Sequence, residues 1–105
     1  MKIIDFENDD MAKTNMSSLQ GYIETTYEEL VTALGEPTFT ESELDKSTVQ
    51  WDLTVIVKRP YDEDHDYVVA TIYDWKTAET PTEPYKWHIG GFDHDAVDVV
   101  QQLLK

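Results

Sequence analysis

Two short segments of the chain combine aromatic rings with lysine and histidine side chains, a mixture suited to binding planar or anionic ligands. The first segment follows an apolar run that ends at Ile72, and the second leads into Gly90-Gly91. If the strands that carry these segments pair, Trp75 and Trp87 approach each other near one end of the sheet. A ligand-binding site for a nucleobase-bearing molecule is one interpretation. Its candidate residues are Tyr73, Asp74, Trp75, Lys76, Lys86, Trp87 and His88.

Two other interpretations of the same residues stay open. Buried tryptophans are common core residues, and the aliphatic stems of lysines run past such rings while their charges stay in water. We expect a core position for at least one of the two tryptophans. Exposed tryptophan and tyrosine are also enriched at the centres of protein interfaces.

Acidic side chains dominate the composition. The chain has 22 Asp and Glu against 8 Lys and Arg, which gives a formal net charge of −14. A negative electrostatic field repels nucleic acids and anionic membranes and attracts cationic surfaces. Solubility alone also explains such an acidic composition. The sharper hypothesis is a surface that imitates nucleic-acid phosphates. Its candidate partner-binding residues are Glu41, Glu43, Asp45, Asp62, Glu63, Asp64 and Asp66.

Motifs for metals or catalysis are weak. Alternating aspartates in residues 62–66 resemble the start of a calcium loop, but Tyr67 and Tyr73 occupy positions that require a glycine and a bidentate acid. His88 and His94 lack a zinc-binding spacing, and cysteine is absent. Neither a phosphate-binding glycine loop nor a nucleophile elbow is present. We therefore predict a non-enzymatic protein without catalytic residues, metal site or cofactor.

The clearest local signal is a short helix over Tyr27–Leu34. Thr26 and Glu29 are spaced as a capping box, and apolar residues recur at helical spacing. Gly35 supplies a left-handed stop, and Pro37 prevents continuation. A helix of about two turns needs tertiary packing to be stable.

The remaining pattern is that of an antiparallel sheet. Strict alternation over 49–57 predicts a half-buried strand, and a polar hairpin loop leads to a central partner strand over 67–75. Residues 85–89 predict a third strand and residues 2–6 a short fourth, while Asp93 caps a C-terminal helix with an apolar stripe. The predicted fold is α+β, a small antiparallel sheet of three to four strands with two helices packed on one face.

The length of 105 residues predicts a single domain over 1–105, in which residues 1–20 are an acidic, irregular N-terminal extension. No apolar run approaches the roughly 18 residues of a membrane span, and the first residues do not resemble a signal peptide. The absence of cysteine fits a reducing compartment. These features predict a cytoplasmic protein without a membrane partner.

Four segments of the chain together resemble small acidic proteins encoded by tailed bacteriophages. The resemblance covers about residues 21–101, and its two aromatic motifs are the specific part. The segments are Thr26-Tyr27-Glu28-Glu29-Leu30 with Leu34-Gly35-Glu36-Pro37, then Trp51, then Ala70-Thr71-Ile72-Tyr73-Asp74-Trp75-Lys76, and Trp87-His88-Ile89-Gly90-Gly91. The resemblance implies a biological setting, the conflict between a phage and its host. Small acidic phage proteins often disarm host defences by imitating DNA or sequestering a nucleotide signal. The chain departs from the pattern in its acidic hairpin, 61–66, and its acidic N-terminus, which favour the mimic.

These observations lead to two expectations. The first is a phage-encoded acidic binding protein in the host cytoplasm, which inhibits a host defence or nucleic-acid-processing protein by imitating nucleic acid. Its partner is a host protein with a basic nucleic-acid-binding surface, and it does not itself bind nucleic acid. The alternative is a module that binds or sequesters a nucleotide or another small ligand at the aromatic and cationic residues. A second copy of the chain is a further candidate partner, because exposed strand edges pair readily.

Overall fold

A computed structural model describes all 105 residues of the chain. Six strands and two helices follow one another, with a 3₁₀ turn at Glu41–Glu43. The elements are β1 (Lys2–Asn8), β2 (Ser18–Thr25), α1 (Tyr27–Leu34), β3 (Phe39–Thr40), β4 (Val49–Lys58), β5 (His65–Tyr73), β6 (Tyr85–Gly91) and α2 (Asp95–Leu103). All paired strands are antiparallel, so the α+β class predicted from the sequence is confirmed.

The strands form a single six-stranded sheet in the order β1-β4-β5-β6-β2, and β3 pairs with the start of β4. The predicted count of three to four strands is wrong because the sequence pattern understates the edges of the sheet. The register of β1 shifts between Ile3 and Asp5, and that of β2 shifts between Leu19 and Gly21. An extra residue at such a bulge breaks the alternation by which strands are recognised.

Half of the first 20 residues lie in strands of the sheet, where an irregular extension was expected. They contain all of β1 and the start of β2, which lie at opposite edges. Residues 9–17 therefore cross the sheet. They cross on the face opposite the helices, where Met11 shares a groove with Val69 and Thr14 shares one with Thr71. We call residues 9–17 the crossing segment.

Both helices follow from local signals. Thr26 Oγ1 accepts the N–H of Glu29 at 3.1 Å, and Gly35, at φ 92°, donates its N–H to the Val31 carbonyl at 2.9 Å. Helix α1 thus has the predicted bounds. Helix α2 begins at Asp95, and its N-cap is His94 and not the predicted Asp93, although the carboxylate of Asp93 accepts the Asp95 N–H at 2.9 Å. Neither helix has the length and apolar character needed to cross a membrane.

The hydrophobic core lies between the two helices and one face of the sheet. Alternate residues of β4 from Val49 to Val57 point into it, together with residues of β5 and β6. The helices close the core from the other side. The largest aliphatic contributors are Leu30, Leu34, Leu53, Val55, Val57, Ile72, Ile89, Val99 and Val100.

Two fully buried tryptophans hold both ends of α1. The indole N–H of Trp87 donates to the carbonyl of Thr25 at 3.0 Å, at the end of β2 and next to the helix N-cap Thr26. The indole N–H of Trp51 donates to the carbonyl of Gly35 at 2.9 Å, immediately after it. The two rings meet edge to face with centroids 5.7 Å apart. Because an isolated helix this short is unstable in water, these contacts determine its position.

Candidate functional site

The face of the sheet opposite the helices carries four neighbouring rings, which we call the aromatic cluster: Tyr22, Tyr73, Trp75 and His88. The imidazole of His88 is central, with ring centroids 5.0 Å from Tyr22, 5.3 Å from Tyr73 and 6.4 Å from Trp75. Strand register explains the arrangement, because His88 pairs with Tyr22 on one side and Tyr73 on the other. Trp75, which was expected within the strand, lies two residues after the end of β5 and joins the cluster from there.

The surroundings of the central imidazole favour its uncharged form. Burial lowers the pKa of His88, and the carboxylate of Asp74 only partly opposes this effect. Its Nδ1 atom is shielded from solvent and has no hydrogen-bond partner. The outer members of the cluster remain accessible, since 44% of Trp75 and 42% of Tyr22 are exposed. The cluster thus presents aromatic surface to solvent.

Two lysines lie over the outer rings. Lys86 Nζ is 4.8 Å from the centroid of Tyr22, and Lys76 Nζ is 5.8 Å from that of Trp75. Both distances are within the range of cation–π attraction. Lys76 has a left-handed backbone conformation, at φ 55°, and its N–H donates to the carbonyl of Lys46 at 2.8 Å.

Two residues of the candidate ligand-binding set are buried away from this face. Trp87 lies in the core against Trp51 and Tyr85, so the expected approach of Trp75 and Trp87 does not occur. Asp74 has no exposed surface. Neither can touch a ligand on the open face. The remaining five candidates, Tyr73, Trp75, Lys76, Lys86 and His88, do come together there.

Asp74 is a structural residue. Its Oδ1 accepts the backbone N–H groups of Thr48 at 2.8 Å and Val49 at 3.2 Å. Its Oδ2 accepts the hydroxyls of Thr48, at 2.6 Å, and of Thr77. The Ser47 hydroxyl donates to the Asp74 carbonyl at 2.6 Å. These bonds tie the start of β4 to the connection between β5 and β6, and so position the adjacent Trp75.

A cavity of about 210 Å³ adjoins the aromatic cluster. It lies against the sheet at Thr71 and Gly90, and the rings of Tyr73 and Trp75 form part of its wall. Its remaining lining residues come from the crossing segment, from the start of β2 and from the start of β4: Thr14, Ser17, Ser18, Ser47 and Gln50. None of the lining side chains is charged.

The acidic hairpin tip is exposed. Lys58 Nζ donates to the backbone carbonyls of Asp62 and Glu63, at 2.8 and 3.0 Å, and so folds the loop without neutralising its carboxylates. Asp66 differs from its neighbours. It pairs with Arg59 at 3.2 Å, and the backbone N–H of Tyr67 together with that guanidinium lowers the pKa of Asp66.

The second acidic stretch lies far from the hairpin. Residues 41–45 precede β4 and the hairpin follows it, so the full length of the ten-residue strand, about 30 Å, lies between them. Glu43 is partly engaged, because it accepts the backbone N–H of Thr40 at 3.2 Å. Glu41 and Asp45 are exposed beside an open groove that Lys46 and Lys76 also line.

Few carboxylates have a cationic partner. Only Asp66, Asp95 and Asp98 of the 22 acidic residues lie within 4.0 Å of a basic side chain. Arg59 binds two of these three, Asp66 and Asp95, and so joins the hairpin to α2. No group of three or more histidine, aspartate or glutamate side chains is arranged to hold a metal ion.

The sequence reasoning missed Tyr22, Thr71 and Gly90 as residues of the open face. The alternation of Tyr22 with Ile23 shows that they lie on opposite faces of a strand. It does not show that Tyr22 meets His88, which depends on the register of β2 with β6.

Comparison with protein-family models, curated proteins and solved structures finds no match for the chain. The resemblance to small phage proteins stays a prediction.

Proposed function

We propose that the protein is a non-enzymatic acidic binding protein that occupies a basic, nucleic-acid-binding surface of another protein. In this proposal it is phage-encoded and inhibits a host defence or nucleic-acid-processing protein. The observation that carries the proposal is the uncompensated charge: 19 of the 22 carboxylates have no basic side chain within 4.0 Å. A partner with complementary charge is attracted over a long range and bound fast at low salt.

The position of the acids also supports the proposal. The hairpin acids Asp62, Glu63 and Asp64 are exposed at one end of β4, and Glu41 and Asp45 are exposed beyond the other end. The strand between them, about 30 Å long, is similar in length to one helical turn of duplex DNA, about 34 Å. Negative patches beyond its two ends are thus spaced on the scale of the contacts that a basic protein makes on successive turns.

The test is capture from bacterial lysate on the immobilised protein. We expect a nucleic-acid-binding protein to be retained at about 0.1 M salt, released near 1 M salt and displaced by duplex DNA. Retention of a partner that duplex DNA does not displace would contradict the mimic, and so would the absence of any retained protein.

Charge-matched variants then locate the contact. The triple change Asp62→Asn, Glu63→Gln and Asp64→Asn should weaken binding of the captured partner at least about tenfold at low salt. The control changes three other exposed acids by the same total charge: Glu28→Gln, Glu79→Gln and Glu83→Gln. An equal loss in both variants would show that net charge alone, and no specific surface, drives association.

A further inference from the structure

We propose that the cavity beside the aromatic cluster binds the planar base of an uncharged nucleoside. The cavity is lined by Tyr73, Trp75, Thr71, Gln50 and Gly90 together with residues of the crossing segment. Its size, its walls and its lack of charge each restrict the ligand. The site is separate from the exposed acids of the hairpin, and its function does not rest on theirs.

The size of the cavity limits the buried part of the ligand to one ring system. Its volume of about 210 Å³ is below the roughly 300–1,000 Å³ of pockets for drug-sized molecules. The space at the sheet exists because residue 90 is a glycine. A Cβ atom there would collide with the hydroxyl of Thr71 and would lie 3.5 Å from the ring of Tyr73.

The walls offer aromatic surface for stacking. The rings of Tyr73 and Trp75 meet at 71° with centroids 6.2 Å apart, so they form a corner. Protein atoms leave 44% of Trp75 exposed, and a planar ligand can cover that surface. Stacking of a base on such a ring tolerates any base, because every base has a π face.

The polar side chains that line the cavity can form hydrogen bonds with the donors and acceptors along the edge of a base. Thr14, Ser17 and Thr71 carry hydroxyls, which both donate and accept hydrogen bonds. Gln50 donates from Nε2 to Asp52 at 2.7 Å, which leaves its carbonyl oxygen able to accept from a ligand. Adaptable hydroxyls and a single amide predict weak discrimination among the four bases.

The charge of the protein selects against phosphate. No lining side chain is charged, and the chain as a whole carries a formal charge of −14. An anionic ligand is therefore repelled by the surrounding field. Lys76 lies over Trp75 at 5.8 Å and is a candidate for a phosphate contact, which makes the comparison of nucleoside with nucleotide decisive.

The experiment is an NMR titration of the full chain with adenosine, guanosine, cytidine and uridine at about 0.15 M salt. We expect the backbone amides of Thr71 and Gly90 to shift with millimolar nucleoside, and adenosine 5′-monophosphate to bind more weakly than adenosine. Trp75→Ala should lower affinity about tenfold or more, the usual effect of removing a stacking ring. Its amide spectrum reports whether the fold is retained.

A matched control is Tyr67→Ala, which removes an exposed ring from β5 outside the cavity and should leave affinity unchanged. Neutralising the hairpin acids should likewise leave adenosine binding in place. The proposal is overturned if no nucleoside shifts the Thr71 and Gly90 amides, or if Trp75→Ala binds as well as the parent. Stronger binding of glucose than of any nucleoside would overturn the assignment to a base. Tighter binding of the monophosphate would overturn the assignment to an uncharged ligand.

Discussion

Replacement of Asp74 by alanine should destabilise the protein far more than removal of any surface carboxylate. The side chain has no exposed surface, and it accepts two backbone N–H groups and two hydroxyls. The backbone donors belong to Thr48 and Val49, at the start of β4. In the alanine variant these donors lose their acceptor in a site from which water is excluded.

The magnitude follows from the donors that are left unpaired. A buried donor without a partner costs about 1–3 kcal/mol, and two backbone donors are affected. The hydroxyls of Thr48 and Thr77 can rotate toward other acceptors and contribute less. We expect the free energy of unfolding to fall by about 3–5 kcal/mol, a large part of the roughly 5–15 kcal/mol that stabilises a domain. Asp74→Asn keeps one carbonyl acceptor and should lose only about 1–2 kcal/mol.

Urea denaturation followed by tryptophan fluorescence measures these differences, and hydrogen exchange of the Thr48 and Val49 amides locates them. Glu83→Ala is the control, because this exposed acid lies in the same connection and its loss should change stability by less than about 0.5 kcal/mol. A loss below about 1 kcal/mol in Asp74→Ala, or unchanged protection of the two amides, would refute the assignment of Asp74 as their acceptor.

Three further variants test other parts of the structure. Trp87→Phe removes the donor to the Thr25 carbonyl and should cost about 1–3 kcal/mol with faster amide exchange in α1; unchanged exchange would contradict it. Burial raises the pKa of Asp52, so the folded state binds this proton more tightly than the unfolded state does. The resulting stabilisation is fully present below the unfolded-state pKa and is lost as pH rises through the folded-state pKa. Asp52→Asn should therefore stabilise the protein at pH 7, with a gain that shrinks toward about pH 4, and a pH-independent difference in urea denaturation would contradict this. Lys76→Val places a β-branched residue at φ 55° and should cost about 1–2 kcal/mol, whereas Lys76→Asn should be nearly neutral; equal stabilities would remove the argument from backbone strain.

Features encoded by neighbouring residues were predicted well from the sequence. The bounds of α1 follow from Thr26 and Gly35, which satisfy or end the backbone hydrogen bonds of that helix directly. The alternation of β4 placed Trp51 and Leu53 on the buried face, because successive side chains of a strand point to opposite sides. The edge strands were missed or shortened, since their bulges interrupt that alternation and few of their residues are buried.

The sequence by itself determined the charge of the protein, the bounds of its first helix and the class of its fold, because these depend on composition and on short-range spacing. Tertiary structure decided the roles of similar residues. Trp87 lies within β6 on the helix side and is fully buried, while Trp75 follows the end of β5 and stays partly exposed. The aromatic cluster joins residues 22, 73 and 88, which strand register brings together. Register is set by long-range pairing and by bulges, and a shift of one residue would move each of these side chains to the other face.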